Sequence, residues 1–95
     1  MEITLGNRTI VLVDVNDNCS SCHMPEGYDV SFKSIFFAAY HKVYKNKDYK
    51  PSKTDTYEYV LDNVDIDNTE SPILCKECIK QTYKQIVEIL EDYEE

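Results

Sequence analysis

The chain of 95 residues has no tryptophan, two glycines, two histidines and a single arginine. With so few glycines it has no glycine-rich loop of the kind that cradles phosphates. The spacing of its two histidines suggests no Ser-His-Asp arrangement, so we expect no enzyme. It has no run of 18 apolar residues, and we expect no membrane span. The first residues lack a basic stretch followed by an apolar one, so we expect no secretory signal and a cytoplasmic protein.

Acidic and apolar residues are abundant. The net charge is −8 and the hydrophobic fraction is 42%, a composition typical of a single globular domain, here residues 1–95. A domain this short buries a modest core and often depends on a metal, a disulfide or a partner. The heavy use of Lys, Asn, Asp, Glu, Ile and Tyr is typical of an AT-rich genome. This composition suggests that the source is a low-GC bacterium or a virus. If the source is a phage, we expect the protein to act inside the infected host cell.

The charges are separated along the sequence. Residues 33–53 contain six lysines and one acidic residue, whereas residues 54–95 contain three lysines and twelve acidic residues. An acidic chain is repelled by nucleic-acid phosphates, which require clustered Lys and Arg. The net charge therefore disfavours nucleic acid as a partner, while the lysine-rich middle keeps it open. The sequence does not decide the oligomeric state, and a dimer stays open.

The beginning of the chain predicts a β-hairpin. Two β-rich runs within residues 2–15 are separated by Gly6 and Asn7, a pair typical of a two-residue turn. Residues 10–13 are apolar on both faces, which favours a central strand.

The rest of the chain predicts two helices and one further strand. Apolar residues from Phe32 to Tyr44 recur with helical spacing and predict a helix over about residues 31–46. A similar stripe predicts a C-terminal helix over about residues 75–92. Residues 57–62 alternate in a way that predicts a strand. The fold class is therefore α+β.

Four cysteines form two Cys-x-x-Cys pairs, Cys19 with Cys22 and Cys75 with Cys78. Two such pairs can fill the tetrahedral shell of one structural zinc ion and leave no position open for water. Thiol redox chemistry is an alternative, although it explains one pair and not two. Disulfides and unrelated buried thiols also remain. Cys22 is followed by His23, which makes His23 a spare ligand candidate and also fits covalent haem attachment.

The order of this site resembles the treble-clef zinc fingers, in which a knuckle pair precedes a second pair at the start of a helix. Residues 73–79, Ile-Leu-Cys-Lys-Glu-Cys-Ile, are similar to the end of the ClpX-type N-terminal zinc-binding domain, and Cys-Ser-Ser-Cys at 19–22 is similar to its first pair. The chain departs from that family in the long insertion between the pairs and in Thr82, where the family often has a further Cys. The resemblance implies a four-thiolate zinc and protein binding, without unfoldase activity.

Two surfaces are candidates for binding a partner. One is basic and aromatic and comes from the segment 33–53, with Lys42, Lys45, Lys47, Tyr44 and Tyr49. The other is acidic and can mimic nucleic acid in a basic groove of another protein, with Asp62, Asp65 and Asp67.

We therefore expect a small acidic zinc-binding protein that acts as a protein-interaction module. We expect this module to regulate or inhibit a host machine, as small phage proteins do. The alternative is a zinc-finger transcription regulator that binds nucleic acid through the lysine- and tyrosine-rich segment 33–53.

Overall fold

The computed structural model describes residues 1–20, 22–66, 70 and 72–93. These residues form three helices and five strands in two antiparallel sheets, which confirms the predicted α+β class. The strands are β1 (Glu2–Leu5), β2 (Arg8–Val11), β3 (Val13–Asp17), β4 (Gly27–Asp29) and β5 (Ile73–Leu74), and the helices are α1 (Phe32–Tyr44), α2 (Lys53–Asn63) and α3 (Lys76–Glu91).

The predicted N-terminal hairpin is present. β1 pairs with β2 in a two-stranded sheet, with Ile3 opposite Ile10 and Leu5 opposite Arg8. Gly6 at the turn has a φ of 61°, a conformation that glycine adopts without steric cost. The prediction of a central strand at residues 10–13 is wrong, because β2 pairs with β1 alone in the described sheet and Val11 is 65% exposed.

A second sheet has the strand order β3-β4-β5 and carries the cysteine loop. β3 and β4 are antiparallel, with an irregular register between Asp14 and Asp17. β4 also pairs with the short β5, so that Tyr28 lies opposite Leu74. This pairing brings residues 27–29 beside the start of α3, although the two segments are far apart in the sequence.

The core lies mainly between α1 and α3, the pair of helices with the most extensive contact. The α1 side chains that face it are fully or nearly fully buried and include Phe32, Ile35, Phe36 and Ala39. Ile79, Ile86 and Leu90 of α3 are buried against them. The observed bounds of both helices lie within two residues of the predicted ones, because the apolar stripe on each keeps a helical period over several turns.

The prediction of a strand at residues 57–62 is wrong, because these residues lie in α2. Ser52 begins the helix, and its hydroxyl accepts a hydrogen bond from the Asp55 amide at 3.3 Å. Thr56 and Val60 are fully buried at a spacing of four residues, which is the spacing of one helical face. No helix in the described part of the chain is both long and apolar enough to cross a membrane.

Candidate metal centre

The first cysteine pair lies in the loop between β3 and β4. Cys19 is fully buried, and its amide donates a hydrogen bond to the Met24 carbonyl at 2.8 Å. The Cys19 carbonyl accepts from the His23 amide at 2.9 Å, and the Cys22 amide points at the Cys19 Sγ at 3.5 Å. These bonds turn the chain so that both sulfurs of the pair point to the same side.

His23 follows the first cysteine pair in this turn, with a φ of 64°. A non-glycine residue in this left-handed region is uncommon, although histidine is several-fold enriched there. His23 is exposed, and the clustered ligand atoms in the described part of the chain belong to cysteines alone. Its place in the turn therefore gives His23 a conformational role.

The second cysteine pair begins α3. Cys75 is the N-cap residue, and its sulfur accepts a hydrogen bond from the Cys78 amide at 3.5 Å. Helix propagation starts at once, because the Ile79 amide donates to the Cys75 carbonyl at 3.0 Å. The positive end of the helix dipole favours negative charge at this position, and thiolates at helix N-termini are stabilised in the same way.

A backbone contact holds the two pairs together. The Ser20 amide donates a hydrogen bond to the Ile73 carbonyl at 2.8 Å. This bond joins the loop of the first pair to β5, which runs directly into the second pair. The relative position of the pairs is thus set by main-chain geometry as well as by their side chains.

The four cysteine sulfurs form one compact group. They all lie within 4.8 Å of one another, and the Sγ atoms of Cys22 and Cys75 are 3.5 Å apart. Zinc–sulfur bonds of about 2.3 Å place the sulfurs of a tetrahedral site about 3.8 Å apart. No disulfide joins any of the four cysteines. The group could therefore hold one metal ion, and the predicted clustering of Cys19, Cys22, Cys75 and Cys78 is confirmed.

The protein environment alone does not favour four thiolates. Burial raises the pKa of the Cys75 and Cys78 thiols above the ordinary value, and side-chain hydrogen bonds with Cys22 and Cys19 raise both further, while the hydrogen bonds of Cys75 with Cys78 act in the opposite direction on Cys75. A coordinated metal cation reverses this preference, because its charge deprotonates a bound thiol. The arrangement of four soft donors around one point is thus suited to a thiophilic cation such as Zn²⁺.

The candidate basic partner surface is divided between exposed and buried residues. Lys42, Lys45 and Lys47 are exposed, and Tyr49 is 54% exposed. Tyr44 is 5% exposed, and its hydroxyl donates a hydrogen bond to the Leu90 carbonyl at 3.1 Å. Tyr44 is therefore part of the contact between α1 and α3.

The candidate acidic surface is described in part. Asp62 is exposed near the end of α2, and Asp65 is exposed just after that helix. Asp67 lies outside the described residues. The two described carboxylates thus lie near the C-terminal end of one helix.

A surface groove between the hairpin turn and α1 was not predicted from the sequence. It has a volume of about 600 Å³, and we call it the cationic groove. Its polar lining comes from Asn7, Arg8, His41, Lys42, Lys45 and Asn46. Arg8 and His41 meet there because the hairpin packs on α1, and no local pattern in the sequence reports that contact.

Comparison of the chain with protein-family models, with curated proteins and with solved structures finds no match.

Proposed function

We propose that the protein binds one structural zinc ion through its four cysteine sulfurs. The observation that supports this most directly is the compact group of four thiols, which has the size and the donor type of a zinc site. A bound ion would join residue 19 to residue 75. Closing so long a loop removes conformational freedom from the unfolded chain, and the binding energy of a structural zinc adds to the stability of the fold.

Metal analysis of the purified protein tests this proposal. We expect about one zinc ion per chain and, after cobalt substitution, an absorption spectrum of four-thiolate ligation. We expect Cys75→Ser with Cys78→Ser to lose both the metal and the folded state. A protein without metal, or a double variant that keeps the wild-type unfolding temperature, would contradict the proposal.

We also propose that the site is of the treble-clef type, with local similarity to the ClpX-type zinc-binding domain. In support, the first pair lies between two antiparallel strands and the second pair in the first turn of a helix. Thr82 is buried and its hydroxyl donates to the Cys78 carbonyl at 2.8 Å. Thr82 thus hydrogen-bonds within the first turns of α3. It occupies the position that often carries a further Cys in that family.

We propose that the module binds another protein and is not an enzyme. A four-thiolate zinc has no open position, so it cannot activate water or polarise a substrate. The metal then shapes the fold, and function falls to the surfaces that the fold presents. We propose that the module regulates or inhibits a larger molecular machine, as a phage protein does in its host.

A second candidate function is nucleic-acid binding, and the cationic groove is the observation that favours it. Retardation of DNA or RNA at low salt, abolished by Lys42→Glu with Lys45→Glu, would establish this alternative. Capture of a cellular protein by the wild-type module, together with unchanged mobility of nucleic acid, would support protein binding.

A further inference from the structure

The cationic groove is built from two separate elements. The turn after β1 and the start of β2 supply Asn7 and Arg8, and the exposed side of α1 with its C-cap supplies His41, Lys42 and Lys45. Ala38, which is 2% exposed, also lines it. A small side chain at this position leaves room between the turn and the helix. The result is a concave site with polar hydrogen-bond donors on two opposite sides.

The charge in and around this groove has one sign. Its described lining includes Arg8, Lys42 and Lys45 and no acidic residue. Burial lowers the pKa of His41, and the positive charges of Arg8, Lys53 and Lys50 lower it further. The field at the groove is thus positive, with contributions from the hairpin, from α2 and from the loop between the helices.

The aromatic rings beside the groove are already covered. Lys47 lies over the ring of Tyr44 at 5.5 Å, and Lys53 lies 5.7 Å from the ring centres of both Phe37 and Tyr40. Single-stranded nucleic acids are bound largely by stacking of their bases on open aromatic faces. Tyr49, which is 54% exposed, lies with Pro51 and Tyr93 outside the groove, so the described lining of the groove itself offers cations without a Phe or Tyr ring.

The rest of the chain also disfavours a long polyanion. The whole chain carries a net charge of −8 although the segment 33–53 is basic, so a nucleic acid that extended past the groove would meet acidic surface. A short segment with several carboxylates fits within the positive region and avoids this repulsion. Its carboxylates can accept hydrogen bonds from the Arg8 guanidinium and from the lysines.

We propose that the cationic groove binds a short acidic segment of a partner protein. This inference rests on the proposed function as a protein-binding module and adds the location of the site and the chemistry of its partner. Arg8 and Lys42 contact the carboxylates from opposite sides of the groove, and the amides of Asn7 and Asn46 complete the set of donors.

A fluorescence binding assay with the zinc-loaded protein tests the proposal. The probes are a labelled oligoglutamate peptide and a labelled oligothymidylate of equal charge. We expect the peptide to bind more tightly, and Arg8→Gln with Lys42→Gln to weaken its binding about tenfold. The matched control is Lys80→Gln with Lys84→Gln, which makes the same change in net charge on the exposed part of α3 and should leave binding unchanged.

A nuclear magnetic resonance titration gives a second readout. Bound carboxylates should shift the ring signals of His41 and raise its pKa, since they offset the positive charges around it. Tighter binding of the oligothymidylate would overturn the proposal in favour of nucleic acid, and an equal loss in both double variants would overturn it as a non-specific charge effect. Absence of peptide binding would overturn the groove assignment alone, because metal analysis and partner capture test the proposed function separately.

Discussion

Gly6 and Asn7 reverse the chain between β1 and β2, and Gly6 is constrained in two ways. Its φ of 61° is unfavourable for other residues, and a Cβ atom placed on it would lie 2.8 Å from the hydroxyl oxygen of Tyr83 on α3. We expect Gly6→Ala to lower the free energy of unfolding by about 2 kcal/mol, because both constraints are violated. Urea denaturation of the zinc-loaded protein measures the change.

The two constraints can be separated with Tyr83→Phe, which removes the hydroxyl group and keeps the ring. In that background we expect Gly6→Ala to cost about 1 kcal/mol, the part that comes from the backbone conformation. An equal cost in both backgrounds would show that the contact with Tyr83 contributes nothing.

The residues of the candidate site differed in how far the sequence revealed them. The four cysteines were predicted because a Cys-x-x-Cys pair is a local pattern and its chemistry follows from the side chain. Arg8 and His41 were not predicted to line one groove, because their proximity depends on how the hairpin packs on α1. Tyr44 was predicted to lie on a binding surface because it lies in a lysine-rich segment of the sequence. Nothing in that segment shows that its hydroxyl donates a hydrogen bond to the Leu90 carbonyl of α3.

The side chains where β2 joins β3 differ in how much they contribute to the core. Leu12 lies between the strands and is 2% exposed, whereas Val11 and Val13 on either side are 65% and 55% exposed. We expect Leu12→Ala to reduce the free energy of unfolding by about 3 kcal/mol, through lost burial and the remaining cavity.

Val13→Thr is the matched control for Leu12→Ala. It keeps a branched side chain on the exposed strand and should change the free energy of unfolding by less than about 0.5 kcal/mol. Thermal unfolding of both variants measures the difference. Similar losses of unfolding free energy in the two variants would contradict this prediction, because they would mean that the outer face of β3 packs against another surface.

α2 shows why an element can be mispredicted. Its sequence Tyr-Glu-Tyr-Val-Leu alternates in hydrophobicity and therefore indicates a strand over a short window. The structure instead buries Thr56 and Val60, while Tyr57 packs against Phe36 with ring centres 5.1 Å apart. Thr56 is polar and did not count as a core residue, although its hydroxyl is satisfied by the Ser52 carbonyl at 2.8 Å. Because Thr56 is polar, a pattern of apolar residues alone does not show the helical spacing of the buried positions in α2.

For the whole molecule, the proposed zinc site would couple stability to metal and to pH. Zinc binds thiolates, so protons compete with the ion as the pH falls. We expect the zinc-loaded protein to lose its metal and then its fold on acidification, and to unfold when a strong chelator is added at neutral pH. Circular dichroism and metal release, followed together, measure both transitions.

The distance in sequence between the two cysteine pairs also determines when the protein can fold during its synthesis. The hairpin, the first pair, α1 and α2 all leave the ribosome before Cys75 and Cys78 do, and α3, which covers the apolar face of α1, follows them. Until then the nascent chain has two of the four clustered cysteines and an uncovered core. Binding of the proposed zinc ion would therefore wait until α3 is synthesised, and a shortage of the ion would leave unfolded protein exposed to proteolysis.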